Sequence, residues 1–136
     1  MGPTRPLPSP AVLRRLLWID CLGAFAVGVG VLALSVWLAP FLGLPLWFVI
    51  GEGLANLAYG SFSYSLARQP SPPLRRVRLL AAMNMAWGAM ALMLAVVLYG
   101  TVTPFGTAHL VINVVYVGGL GLMEWRAASR DRLAVS

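Results

Sequence analysis

The sequence predicts an all-α integral membrane protein, a bundle of four transmembrane helices. Three observations predict it. Of the 136 residues, 60% are apolar and only 10% are charged, whereas soluble globular chains average about 25% charged. So little charge cannot cover a soluble surface, and so apolar a chain is not disordered. The apolar residues fall into four runs, and a membrane-spanning helix takes about 20 apolar residues. Finally, all ten basic residues are arginines, and they cluster at the ends of the runs. That distribution marks membrane topology rather than a phosphate-binding face, so the net charge of +6 does not point to nucleic acid. A β-barrel would need alternating segments of about ten residues, and these runs are continuously apolar and rich in Leu and Ala.

The elements follow in order. Residues 1–10 hold four prolines and read as a flexible tail. Arg14 and Arg15 then precede the first apolar run, predicting a helix over about 13–39. A signal peptide shares this layout, but the run is too long for one. It also contains Asp20 and ends without a small-x-small site, so a retained helix is expected. The uncharged segment Pro40–Pro45 reads as a turn. A second helix spans about 45–68 and ends at Arg68. Gln69–Pro73 forms a proline-rich turn before Arg75, Arg76 and Arg78. The third helix covers about 75–100, Gly100–Thr107 is an uncharged turn, and the fourth covers about 106–128. The membrane domain is thus 11–128, with 129–136 as a cytoplasmic tail. Because the first and third loops lack arginine and the middle loop and both ends carry it, both termini are expected in the cytoplasm of a bacterial inner membrane.

Two hairpins emerge. The second helix carries Glu52-x-x-x-Asn56-x-x-Tyr59, and the fourth carries His109-x-x-x-Asn113-x-x-Tyr116. The first helix has Asp20 four residues before Ala24, and the third has Asn84 four residues before Gly88. These matches admit either a tandem duplication or chance within a shared hydrophobic pattern. A duplication would relate the hairpins by a pseudo-two-fold axis along the membrane normal.

An Asp early in the first helix, Leu-Gly-Leu-Pro after it, a Gly-containing second helix ending in Tyr and Arg, and Asn84-x-x-Trp87 in the third resemble uncharacterised small bacterial four-helix integral membrane proteins. The resemblance covers about Leu13 to Arg126. It implies fold and compartment, with no catalytic residue, cofactor or partner carried over.

Polar side chains inside the spans mark the candidate sites. Charge at a helix centre costs about 2.5–3.5 kcal/mol on insertion scales. At a rise of about 1.5 Å per residue, Asp20 lies roughly 6 Å from the inner start of its span and Glu52 about 8 Å below the outer start of its own. Glu52, Asn56 and Tyr59, extended by Ser63, share one helix face, which is costly against lipid and so should turn inward. With His109, Asn113 and Tyr116 they form a candidate pocket opening outward. The plainer reading is hydrogen bonding that holds the bundle together. If the hairpins are equivalent, Glu52 and His109 start matching helices and are expected to pair. Asp20, Asn84 and Glu124 form a candidate cytoplasmic cluster. There, Asp20 is expected to pair with Arg14, Arg15 or an arginine of the middle loop, and Glu124 with Arg126 or Arg130.

Other chemistry is absent from the sequence. The lone Cys21 forms no intrachain disulfide or Cys-x-x-Cys pair. One His and one Cys do not make a metal centre, and without lysine there is no phosphate loop of the Walker type. No catalytic signature, cofactor or metal is therefore expected. The expected function is binding, or proton- or cation-coupled transport, of a small solute in the interhelical pocket. The alternative is a non-catalytic accessory subunit of a larger membrane complex. The lipid bilayer is the expected partner, and stripes of small residues permit a homodimer.

Overall fold

The computed structural model describes residues 10–133. It is all-helical: α1 (Pro10–Ala33), α2 (Ser35–Leu42), α3 (Leu46–Ala67), α4 (Leu74–Val97), α5 (Pro104–Asn113), a π-helical turn (Val114–Gly118) and α6 (Gly119–Leu133). Three continuous helical stretches are long and apolar enough to cross a membrane: Ala11–Ala33, Leu74–Val97 and Pro104–Arg130. This fits a multi-pass membrane protein. The 22-residue α3 has the length but dilutes its hydropathy with Glu52, Asn56, Tyr59 and its serines and glycines.

Helix boundaries differ from the expected ones in two places. The first run is not one helix over 13–39. It breaks at Leu34, where the backbone leaves helical geometry (φ −104°, ψ 8°) before α2 begins. Pro40 does not start the turn either: it lies inside α2, where it removes one backbone hydrogen bond and bends the helix at a cost of about 3 kcal/mol. Gly43 ends α2 instead, with φ 71°. The Gly43 amide donates to the Pro40 carbonyl (3.2 Å) and the Leu44 amide to that of Ala39 (3.0 Å). This pair of bonds is the Schellman arrangement, which only a left-handed residue closes cheaply. The expected fourth helix is likewise interrupted, by the π turn, and then continues to Leu133. Residues 129–133 of the expected tail are therefore helical. The expected proline-rich tail lies outside the described residues apart from Pro10, which opens α1.

Proline and threonine set the remaining starts. Pro45 and Pro73 stand in extended conformation just before α3 and α4. Thr103 caps α5, its Oγ1 accepting from the Gly106 amide at 3.1 Å, with Pro104 at the first helical position.

α1 packs chiefly on α3, and α4 on the α5–π–α6 rod, so the chain forms two helical hairpins. Their turns meet at one end of the bundle. The Thr103 amide donates to the Leu42 carbonyl (3.2 Å) and Thr103 Oγ1 to that of Phe41 (2.7 Å). Phe41 stacks on Trp37 and on Phe105, with ring centres 4.6 and 4.5 Å apart. At the opposite end, near the arginines, Leu13, Leu17, Leu66, Val77, Leu80 and Ala128 close a common core.

The hairpins also share a register of burial. Adding 64 to Leu13, Leu16, Leu17, Asp20, Ala24 and Val31 gives Val77, Leu80, Ala81, Asn84, Gly88 and Ala95, all buried, whereas buried Gly28 matches exposed Leu92 and buried Ala91 matches exposed Val27. In the second arms the offset is 57 up to the π turn and 58 from its last residue onward: Glu52 matches His109, Gly60 matches Gly118, and Ser63 matches Gly121. The π turn absorbs this one-residue difference, as a single residue inserted into a helix does. Matching positions also face matching neighbours. A Cβ at Gly60 would lie 3.3 Å from that of Ala24, and one at Gly88 would lie 2.8 Å from Gly118 Cα.

Candidate functional site

Glu52 is buried on α3, with 3% of its surface exposed, at the hairpin-turn end of the bundle. Across the bundle, His109 Nε2 stands 2.9 Å from Glu52 Oε1 and 3.0 Å from Oε2. Protonated at that nitrogen, the imidazole donates to the carboxylate. Asn113, one turn further along α5, places its Nδ2 3.0 Å from the His109 carbonyl and 3.5 Å from Glu52 Oε1. Its amide oxygen accepts from Trp87 Nε1 at 3.1 Å, which fixes the amide's orientation. Glu52, His109, Asn113 and Trp87 thus form one connected set drawn from three helices.

A second set lies toward the arginine end. Asp20 Oδ2 accepts from the Tyr59 hydroxyl and lies 3.1 Å from Ser63 Oγ, which is also 3.2 Å from the Leu17 carbonyl. Asn84 Nδ2 sits between two carboxylates, 3.5 Å from Asp20 Oδ1 and 3.2 Å from Glu124 Oε2. Asp20, Ser63, Asn84 and Glu124 are all buried. The other Glu124 oxygen, Oε1, has no hydrogen-bond partner among the described residues.

The six residues expected to line one pocket therefore divide. Glu52, His109 and Asn113 come together. Tyr59 instead reaches Asp20 in the second cluster, because seven residues carry it roughly 10 Å along the helix from Glu52. Asn56 spends its amide on the Glu52 carbonyl of its own helix (2.9 Å). Tyr116 falls in the π turn and turns its hydroxyl toward Gly23 of α1, where a Cβ would come within 2.7 Å of it. Asp20, Asn84 and Glu124 lie together, the Asn84 amide between the two carboxylates, but not with the expected partners. Among the described residues the only ion pair is that of Glu52 with His109. Arg14 and Arg15 are exposed on the outer side of α1 while Asp20 faces inward. Two hydroxyls and the Asn84 amide donate to Asp20, and that amide alone to Glu124 Oε2. Trp87 and Ser63 complete the two clusters; Ser63 was legible as the next position of the α3 stripe.

Between the clusters lies a cavity of about 440 Å³, within the range of small-molecule sites. Asp20 and Tyr59 line one end and His109 and Asn113 the other, with apolar walls from α1, α2 and the α5–π rod. Asn56 and Tyr116 also face it, so the cavity reunites the residues that the hydrogen bonds separate. Among the described residues no group of three His, Cys, Asp or Glu side chains converges as a metal site would need.

No family model matches the chain, and neither a curated protein nor a solved structure is similar to it.

Proposed function

We propose that the chain is a four-span protein of the bacterial cytoplasmic membrane, related to the small four-helix membrane proteins it resembles. Both termini are cytoplasmic, and the interhelical cavity binds a small solute in exchange for, or together with, protons or cations. The four spans are α1 with α2, α3, α4, and the α5–π–α6 rod. The two hairpins are a tandem repeat around a pseudo-two-fold axis along the membrane normal. The offsets of 64 and of 57 and 58 support that repeat. So does the meeting of two matched pairs, Glu52 with His109 and Asp20 with Asn84, because residues near a two-fold axis touch their own mates.

The observation that carries the transport reading is the placement of carboxylates at both ends of one cavity. Glu52 sits beyond one end behind His109 and Asn113, and Asp20 lines the other. A stripe that served only to dock a partner protein would face outward, whereas Glu52 and Ser63 are buried within this chain. This weighs against the accessory-subunit alternative.

Proton flux tests the reading. Proteoliposomes loaded with a pH-sensitive dye and placed in a pH gradient should acidify at a rate proportional to protein. Glu52→Gln should reduce that rate at least tenfold. Full flux in a folded Glu52→Gln variant would refute the role given to Glu52.

A further inference from the structure

We infer that the cavity takes a lipophilic organic cation that reaches it sideways from the bilayer. This inference rests on the pocket reading above and names its ligand class.

Charge comes first. Asp20 lines the cavity and Glu52 stands behind His109 at its far end, yet among the described residues no arginine faces it. His109 is the one basic side chain in the wall. An anionic ligand would meet carboxylates without a fixed cation to hold it. A cationic one would be attracted to Asp20, and low-dielectric walls strengthen that attraction, while at the other end His109 stays paired with Glu52.

Shape and lining come next. The rings of Tyr59, Trp87 and Tyr116 line the space, and aromatic faces attract organic cations. Most of the remaining lining is aliphatic, which suits an apolar body around the charge. A strongly hydrated inorganic ion would lose its water there without enough oxygen ligands to replace it.

The route follows from exposure. Val27 on α1 and Ile112 on α5 line the cavity, and both are exposed on the flank of the bundle. The cavity thus opens between α1 and the α5–π rod, on the apolar side that faces lipid rather than at a water-facing end. Gly30 stands at this opening. It lines the cavity, and a Cβ added there meets nothing within 4 Å. A larger side chain at that position would occupy the opening without displacing the helices.

The test uses two probes of the same shape and opposite charge, tetraphenylphosphonium and tetraphenylborate, with the full-length protein in lipid nanodiscs and empty nanodiscs as the blank. Tetraphenylphosphonium should bind saturably at one per chain, and tetraphenylborate at least tenfold more weakly. Gly30→Phe and Glu52→Gln should each weaken tetraphenylphosphonium binding at least tenfold. Gly51→Phe, at an exposed glycine with equally open surroundings outside the cavity lining, should leave it unchanged. Gly30→Phe keeps every carboxylate, so it decides the matter even if Glu52→Gln fails to fold. Equal binding of both probes, or full affinity in Gly30→Phe, would overturn the inference. Glu52-dependent proton flux without tetraphenylphosphonium binding would overturn the ligand class while leaving the pocket reading intact. Cavity-dependent binding without flux would uphold the ligand class and overturn the transport reading.

Discussion

The crossing of α4 with the π turn makes a prediction of unequal cost at two glycines that face each other. A Cβ added at Gly88 would stand 2.8 Å from Gly118 Cα and 3.2 Å from Gly118 N. Both are backbone atoms that cannot rotate aside. Ordinary contact begins near 3.4 Å, so the two helices would have to part by about 0.6 Å. Overpacking of this kind costs about 1–3 kcal/mol. The reciprocal change is mild, since a Cβ at Gly118 meets only Gly88 Cα, at 3.6 Å. Replacing glycine by alanine also gains up to about 1 kcal/mol of helix propensity. That gain is common to both variants and cancels when they are compared. Gly88→Ala should therefore be less stable than Gly118→Ala by about 1–3 kcal/mol. Cys21 supplies the assay. It is the one cysteine in the chain and is buried, with 1% of its surface exposed. A thiol-reactive dye that fluoresces on coupling then reports unfolding in detergent as temperature rises. If the two variants unfold at the same temperature, the close backbone approach is not what holds this hairpin.

Two further outcomes are expected. Asn84→Leu removes the amide that donates to the wholly buried Glu124, and leaving a buried polar group unpaired costs about 1–3 kcal/mol. The double variant Asn84→Leu/Glu124→Leu should recover most of that loss in the same dye assay, because Leu66 already fills the matching place in the first hairpin. Failure of the second change to recover stability would show that Glu124 does not depend on Asn84. Deleting Val115 from the π turn should yield a folded protein with a continuous α5–α6 helix, whereas deleting Leu57 from α3, which has no π turn to absorb the loss, should abolish the folded state. Equal damage from both deletions, by far-UV circular dichroism and size-exclusion chromatography, would refute the reading of the π turn as an inserted residue.

The helical class and the turns between hairpins were legible because composition and Pro/Gly punctuation act locally. The stripe on α3 was legible because polar residues among apolar ones show helical spacing directly. The break at Leu34 was not: no glycine or proline marks it, and a helix apolar on every side has no periodic register whose loss would show. Nor was the π turn, since one extra residue leaves no trace in composition. It does change which residues share a face, and for that reason Tyr116 parts from His109 and Asn113 although the α-helical spacing joins them. The partners of Asp20 were misread for a geometric reason. Arg14 lies six residues earlier, about two-thirds of a turn around the helix beyond one full turn, so opposite charges near in sequence point different ways.

The proposed repeat also explains why each end of the cavity pairs unlike side chains. Were the two hairpins identical, each position near the axis would meet its own copy. Glu52 would face a second glutamate and Asp20 a second aspartate, and like charges that close repel strongly in a medium of low dielectric constant. A single chain carrying both hairpins can replace one member of each pair. Here Glu52 faces His109 at 2.9 Å, and Asp20 faces Asn84 at 3.5 Å. In each pair a carboxylate acceptor meets a side chain able to donate to it. Elsewhere the substitution runs the other way: Leu66 is matched by Glu124 and Ser63 by Gly121. The first change adds a carboxylate near Asp20, and the second takes the matching hydroxyl from Asn84. The Asn84 amide is left to bridge Asp20 and Glu124. On the proposed repeat, the matched hairpins set the shape of the cavity, and the departures from it remove the like-charge repulsion at its two ends.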